Sequence, residues 1–202
     1  MVYLLSALLI ASGAYIIFRV FVRRDYQRKG RLRFITSMLE LLIFILVFCY
    51  PFLYSSPGWG WFWSTSAPVG TTAWITGMLI ITAGFGLAFG TMFWFGIRRA
   101  FGLQVNKLVQ CGVYRFSRNP QVIGGYLLVA GSSIIWQSWY NLVWIGLYAA
   151  ATHWMIITEE EHLRQSYGAE YTSYCRHVPR YLAFRRKPQP AENSSKRKKT
   201  EN

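Results

Sequence analysis

The chain has 202 residues, 53% of them apolar, and a formal net charge of +14. Its apolar residues fall into long uncharged blocks, which argues against a soluble domain with one core, and its basic residues lie between those blocks and near the C-terminus, which argues against a nucleic-acid-binding surface. The three cysteines and three histidines lack the spacing of a disulfide framework or a metal site, so we expect neither.

Five apolar blocks follow one another along the chain. About twenty apolar residues are enough for a helix that spans a bilayer. The first block has no basic start and no small-residue cleavage site, so we expect a retained helix rather than a signal peptide. The sequence therefore predicts an all-α integral membrane protein with about five transmembrane helices, the last two a helical hairpin, over residues 2–18, 34–54, 71–97, 122–136 and 140–158.

The segment after the last block is predicted to be an amphipathic cytoplasmic helix. Leu163, Tyr167, Tyr171 and Tyr174 recur at helical steps of three and four residues, and the pattern ends near residues 178–179. We expect three regions: a three-helix transmembrane scaffold over residues 1–97, a cofactor-binding catalytic half over residues 98–184, and a disordered basic tail over residues 185–202.

The distribution of basic residues predicts the orientation in the membrane. Seven of them lie between Arg19 and Arg33, others follow the third and fifth blocks, and residues 55–72 contain no Lys or Arg. By the positive-inside rule the N-terminus lies outside and the C-terminus lies in the cytoplasm. We expect the basic loops to contact anionic lipid headgroups.

Polar residues at the predicted cytoplasmic face are the first candidates for a site. Glu159 and Glu160 either mark the end of a membrane helix at the water boundary or supply carboxylate oxygens to a cationic or hydroxylated ligand. Arg118 either snorkels at the start of the fourth block or holds a carboxylate through a bidentate pair, assisted by free N–H groups of the helix that begins near Asn119 and Pro120.

Three further features have two interpretations each. Gly84 and Gly86, inside an apolar block, indicate either close helix packing or a cofactor lying against the backbone. Glu40 is an intramembrane acid, which indicates either a functional group or an ion pair with a nearby arginine. His162, beside the tyrosine pattern, is expected to be exposed at the interface rather than catalytic.

The order and spacing of these residues form a pattern: G-x-Y-x3-R-x-P, an apolar hairpin, and then E-E-x-x-L-x3-[FY]-G-x2-Y-x2-Y-x3-V-P-R. The pattern resembles the isoprenylcysteine carboxyl methyltransferase and phospholipid methyltransferase superfamily over about residues 84–182. It is carried by Gly112, Tyr114, Arg118, Pro120, Glu159, Glu160, Leu163, Tyr167, Gly168, Tyr171, Tyr174, Val178, Pro179 and Arg180.

The resemblance implies an integral membrane methyltransferase that uses S-adenosylmethionine, with Gly84, Gly86, Glu159 and Glu160 at the positions of the family's cofactor contacts. The family usually has His where Asn119 stands and Tyr where Val122 stands. Because an amide accepts no proton near neutral pH, we expect no proton transfer at residue 119.

We therefore expect methyl transfer from S-adenosylmethionine to a lipophilic acceptor at the cytoplasmic face. Arg118 and Glu159 are the predicted catalytic residues, and the predicted cofactor contacts are Tyr114, Arg118, Asn119, Pro120, Glu159, Glu160, Tyr171, Gly84 and Gly86. The alternatives are a nicotinamide-dependent sterol or isoprenoid reductase on a related scaffold and a non-catalytic adaptor that binds anionic lipid. The acceptor (carboxylate, amine, thiol or quinone-like lipid) and the oligomeric state stay open.

Overall fold

The computed structural model describes residues 2–53, 70–96, 108–137 and 140–182. Within these ranges every regular element is helical. The long helices are α1 (Val2–Lys29), α2 (Phe34–Leu53), α3 (Thr71–Phe95), α4 (Pro120–Ile135) and α5 (Tyr140–His177), and a short 3₁₀ turn, Gly112–Arg115, precedes α4. The predicted basic tail, residues 185–202, and most of the predicted outer loop lie outside the described residues.

Helices α1, α2 and α3 are long and apolar enough to cross a membrane. Helix α4 is also apolar but has 16 residues, a length of about 24 Å against about 30 Å for the hydrocarbon core. The prediction of an all-helical, multi-pass membrane protein is confirmed. The count of five crossings stays a prediction, since α4 is short and the apolar part of α5 ends at the polar residues 159–161.

The elbow between α1 and α2 is built around a buried carboxylate. Helix α1 ends at Gly30, whose φ of 64° is the left-handed conformation that terminates many helices. Asp25 is 2% exposed, accepts a hydrogen bond from the backbone N–H of Arg33, and forms an ion pair with that residue's Nε at 2.9 Å. These contacts fix the direction in which α2 leaves the elbow.

Helices α3 and α4 pack backbone against backbone along a row of small residues. A Cβ added at Gly84 would lie 2.7 Å from the carbonyl oxygen of Gly124, and one at Gly131 would lie 2.7 Å from that of Gly77. The matched positions run in opposite directions, so the helices are antiparallel. Small residues are the usual means of close helix approach in membranes. The packing interpretation of Gly84 therefore agrees with the structure.

Helices α4 and α5 form the antiparallel pair that was predicted as a hairpin. The Tyr148 hydroxyl donates to the carbonyl of Val122 at 3.1 Å, and the Asn141 amide donates to the carbonyl of Trp136. Helix α5 then extends to His177 as two helical parts joined by a sharp kink at Gly168, whose φ of 48° and ψ of −116° are not helical. The segment predicted as a separate amphipathic helix is the last part of α5, and its cytoplasmic location stays a prediction.

Helices α1 and α2 share one apolar core with α4 and α5. The Trp144 indole N–H donates to the carbonyl of Val47 at 2.9 Å, and the Thr158 hydroxyl donates to the carbonyl of Phe18 at 3.2 Å. The first contact ties α5 to α2, and the second ties α5 to α1. The predicted division of the chain at residue 97 is not tested by this arrangement.

Candidate active site

A cavity of about 620 Å³ lies among α2, α3, α4 and α5, with Tyr26 of α1 at its edge. Its wall is polar near the start of α4 and the middle of α5. It becomes mostly apolar toward the end of α4 and the start of α5, which runs antiparallel to α4. The polar side chains in the wall are Tyr26, Glu40, Tyr114, Arg118, Asn119, Gln121, Ser132, Tyr148, Glu159, Glu160, His162, Tyr167, Tyr171 and Tyr174. The cavity has the size and mixed lining typical of a small-molecule site.

Glu160 is the centre of an ion cluster at the polar end of the cavity. Its Oε1 accepts hydrogen bonds from Arg118 Nη1 and Arg180 Nε, both at 2.9 Å, and its Oε2 accepts one from Arg180 Nη2 at 2.7 Å. Arg164 Nη2 lies 3.8 Å from Oε2. Burial alone raises the pKa of Glu160, but the hydrogen bonds from Arg180 and the charges of the three arginines outweigh burial and lower it. Glu160 is therefore an ionised carboxylate.

Of the two interpretations of the glutamate pair, that of a solvated helix end does not fit Glu160, which is 6% exposed. The physical reason is the cluster itself. Three guanidinium groups supply the charge and hydrogen bonds that allow an ionised carboxylate to be buried. Glu160 is thus held by the protein's own arginines.

Arg118 is held near the cluster by a backbone hydrogen bond to the segment that follows α5. Its N–H donates to the carbonyl of Pro179 at 3.0 Å. The Ser117 hydroxyl and the Asn119 amide both donate to the carbonyl of Arg180, at 3.3 and 3.0 Å. The two polar motifs, about sixty residues apart here, are therefore joined by backbone hydrogen bonds, and Asn119 has a structural contact that needs an amide donor rather than a proton acceptor.

Glu159 differs from its neighbour in its partners and in the direction of its pKa shift. It lines the cavity, and among the described residues it has no ion-pair or hydrogen-bond partner. Burial, and secondarily the charge of Glu160, raises the pKa of Glu159 to about 7. A carboxyl with a pKa near neutrality and a free position in a cavity is a candidate for a functional group.

Two tyrosines flank the polar end. The carbonyl of Tyr114 accepts a hydrogen bond from the Tyr174 hydroxyl at 2.7 Å, and the Tyr114 ring stacks on Trp94 at 6.4 Å between centroids. The Tyr171 hydroxyl lies 3.4 Å from Arg118 Nη1. Burial raises the pKa of both phenols, further aided by Glu159 at Tyr114 and by Glu160 at Tyr171. Both side chains are neutral and border the cavity.

Three buried nitrogen atoms of cavity residues have no hydrogen-bond partner among the described residues: Arg118 Nε, Gln121 Nε2 and His162 Nε2. Buried polar atoms are almost always paired, so unpaired ones that border a cavity indicate ligand contacts. Arg118 Nε and Gln121 Nε2 are donors that suit carboxylate or hydroxyl oxygens, and the Glu159 carboxyl suits a cation or hydroxyl donors.

The structure brings together most of the site residues predicted from the sequence. The cavity wall contains Tyr114, Arg118, Asn119, Pro120, Glu159, Glu160 and Tyr171. Gly84 and Gly86 do not border the cavity: Gly84 lies against α4, and a Cβ at Gly86 would meet nothing within 4 Å. The role of each of these residues toward a cofactor stays a prediction.

Three further residues have surroundings that the sequence did not predict: Arg180 beside the cavity's ion cluster, and Glu40 and His162 in the cavity wall. Arg180 belongs to the V-P-R motif, yet its position in the chain gives no sign that it pairs with Glu160. Glu40 was weighed as an intramembrane acid, and within the described ranges no arginine forms an ion pair with it. His162 was expected to be exposed, but it is 6% exposed and its ring stacks on Tyr26 at 4.0 Å. These contacts join helices that local patterns treat separately.

Comparison with known proteins supports the interpretation of the motifs. A family model described as phospholipid methyltransferase matches residues 67–170, slightly more than half of the chain. Neither the curated proteins nor the solved structures contain a match. The matched range contains α3, α4, the turn before α4 and most of α5, and therefore the Arg118 and Glu159–Glu160 parts of the cavity. The chain belongs to the phospholipid methyltransferase family.

Proposed function

We propose that the protein transfers a methyl group from S-adenosylmethionine to a lipophilic acceptor. The observation that carries the proposal is the division of one cavity into two ends. One end has an unpaired carboxyl, Glu159, and the largely buried guanidinium of Arg118. The remainder of the wall is mostly apolar and is built partly by helices long enough to cross a membrane. A charged, water-soluble donor suits the first end, and a lipid suits the second.

The residues of the polar end fit this cofactor chemically. The Glu159 carboxyl would hold its cationic part or its ribose hydroxyls, and Arg118 Nε and Gln121 Nε2 would meet its carboxylate. The rings of Tyr114 and Tyr171 would cover it. When bound, S-adenosylmethionine supplies an activated methyl group on a sulfonium.

For this reaction the protein has mainly to align two reactants and exclude water. Arg118 is positioned by Glu160 and by its backbone hydrogen bond to Pro179. We therefore propose that Glu160 acts through Arg118, as a positioning residue. A carboxylate or thiolate acceptor would arrive ionised, whereas an amine would have to lose its proton before it attacks.

The first experiment measures which cofactor binds. The purified protein is heated with S-adenosylmethionine, with S-adenosylhomocysteine, and with reduced nicotinamide nucleotides as the matched alternative. Ligands that bind the folded state raise the melting temperature by mass action. We expect stabilisation by the first two. Stabilisation by a nicotinamide nucleotide alone would favour the reductase, and stabilisation by neither would favour the adaptor.

The second experiment identifies the acceptor. The protein is incubated with methyl-labelled S-adenosylmethionine and total membrane lipid, and the labelled product is separated from the extract. We expect label in a lipid fraction, and much less of it at limiting cofactor in a Glu159→Gln preparation that retains its melting temperature.

We further propose that the N-terminus lies outside and the C-terminus in the cytoplasm. Single cysteines at positions 64 and 195, in a background without the native cysteines, test this orientation. The first should react with an impermeant thiol reagent on intact cells, and the second only after the membrane is opened. The reverse result would place the polar end of the cavity away from the cytosolic cofactor.

A further inference from the structure

The cavity continues from its polar end along α5 toward the interior of the helix bundle. Glu159 and Trp144 both lie in its wall and are fifteen positions apart on one helix, a separation of about 22 Å along the axis. On the facing helix α4 the wall extends from Pro120 to Ser132. This length exceeds the roughly 15 Å of hydrocarbon in one leaflet of a bilayer.

Of the α5 residues in the cavity wall, Trp144 lies nearest the start of the helix, at the end away from Glu159. Its side chain is 3% exposed, and its indole N–H is bonded to the carbonyl of Val47 at 2.9 Å, which fixes the ring between α5 and α2. Ser132 is the last residue of α4 in the wall, and Phe48 of α2 and Leu128 of α4 also line the cavity. A ring fixed at the end of the apolar part of the cavity limits the length of the apolar chain that can bind there.

The side of the cavity between α2 and α3 meets the lipid-facing surface. Leu41, Phe85 and Phe89 border the cavity and are also 37%, 44% and 45% exposed. An apolar chain dissolved in the membrane therefore has a route into the slot that avoids water. The total volume of about 620 Å³ has to contain the donor as well, which leaves space for a single chain.

We propose that the apolar part of the cavity holds one alkyl or prenyl chain of the acceptor and that Trp144 sets the longest chain that it accommodates. This inference rests on the proposed function, since it takes the polar end as the place of the reacting head. Trp144 and Ser132 act on specificity for chain length and do not touch the reacting atoms.

A series of straight-chain amines of increasing length tests the proposal as a binding measurement. Amines are the probe because Glu40 and Glu159 place two carboxyls at the polar end. Affinity is measured by calorimetry in an amphipathic polymer with saturating S-adenosylhomocysteine, against the free aqueous concentration of the amine. For the wild type we expect about a fourfold gain per methylene until the chain reaches Trp144, and no gain beyond that length.

Two substitutions should move this limit in opposite directions. Trp144→Ala opens the deep end and should shift the limit to longer chains, and Ser132→Leu fills it and should shift the limit to shorter chains. Trp154→Ala is the matched control, because Trp154 is on the same helix but stacks on Tyr15 outside the cavity wall. Should Trp144→Ala fail to fold, Ser132→Leu tests the same limit alone.

Three results would overturn the proposal. The limiting chain length could stay the same in both variants, the affinity could continue to rise with every added methylene, or no amine could bind. Each of these results is independent of methyl transfer. If S-adenosylhomocysteine binds and lipid is methylated while the limit does not move, only the inference on Trp144 fails. If S-adenosylhomocysteine does not bind, the proposed function itself fails.

Discussion

The α3–α4 interface and the cavity beside it are built partly by the same helices and are packed in opposite ways. At the interface, Gly84 and Gly124 bring two backbones into contact and leave no space for a side chain. At the cavity, larger residues of the same helices, such as Phe85 and Leu128, border about 620 Å³ of open volume. The close packing fixes α3 and α4 as a rigid pair, and that pair can therefore maintain a wall around a space.

The same contrast appears between two adjacent residues of α5. Glu160 is enclosed by three arginines, whereas Glu159 has no partner among the described residues and faces the cavity. Consecutive helical positions are about 100° apart around the axis, so they meet different surroundings. A paired-glutamate motif thus combines a structural carboxylate and a free one.

The largest expected effect comes from removing the enclosed charge. Glu160→Gln leaves Arg118, whose side chain is 13% exposed, without its carboxylate, and we expect a loss of about 3–5 kcal/mol in the free energy of unfolding. Glu159→Gln is the matched control and should change stability little, because burial already favours the neutral form there. Thermal or denaturant unfolding of both variants decides this, and equal losses would contradict the contrast.

Glu159→Gln should instead weaken binding of S-adenosylmethionine by about 1.5–3 kcal/mol, the usual range for a hydrogen bond to a charged group. Calorimetry on the variant measures this loss. Binding of S-adenosylhomocysteine, which has a neutral thioether in place of the sulfonium, should decrease less. An unchanged affinity for both ligands would mean that Glu159 is not a cofactor contact.

The pH dependence of binding follows from the same group. Because the pKa of Glu159 is raised to about 7, the carboxyl is neutral below that pH and ionised above it. Affinity for S-adenosylmethionine should rise as pH increases through about 7, by at most tenfold per unit. The contribution of this group to stability has the opposite sign, since a raised pKa favours folding at low pH and this contribution is lost as pH rises through about 7. Glu159→Gln should remove both trends.

At the helix interface, Gly84→Ala and Gly86→Ala form a matched pair on one helix. The new Cβ at residue 84 would be 2.7 Å from a backbone oxygen of α4, and we expect a loss of about 1–3 kcal/mol, since backbone cannot yield as a side chain does. At residue 86 nothing lies within 4 Å, and Ala should be neutral or slightly stabilising. Unfolding measurements compare the two, and a larger loss at residue 86 would reverse the assignment.

The smallest expected effect is at Cys175. Its Sγ lies 2.9 Å from Arg118 Nη1. The same nitrogen also donates a hydrogen bond to Glu160 Oε1 at 2.9 Å. Cys175→Ser keeps a hydrogen-bond acceptor, and we expect a change of about 0.5 kcal/mol or less in stability. A loss as large as that of Glu160→Gln would make the sulfur, rather than the carboxylate, the main anchor of Arg118.

The sequence by itself determined the class of protein and the residues that meet at the polar end. A long uncharged block can satisfy its backbone groups in lipid as a helix, because every hydrogen bond is then made within the segment. The helical class therefore follows from the positions of the apolar blocks in the sequence. The spacing of the Arg118 and Glu159–Glu160 motifs around two apolar blocks also identified the family, because an antiparallel helix pair brings both motifs to the same end of the pair.

Only the tertiary structure decided what each of those residues faces. Helical periodicity does not tell which adjacent glutamate is enclosed, since Arg180 and Arg118 approach from other parts of the chain. Likewise Gly84 has a packing role because Gly124 lies opposite it, and the Trp144 ring is held against α2 because that helix supplies the Val47 carbonyl. These contacts join residues that are 20 to 97 positions apart in the chain, a distance over which local patterns carry no information.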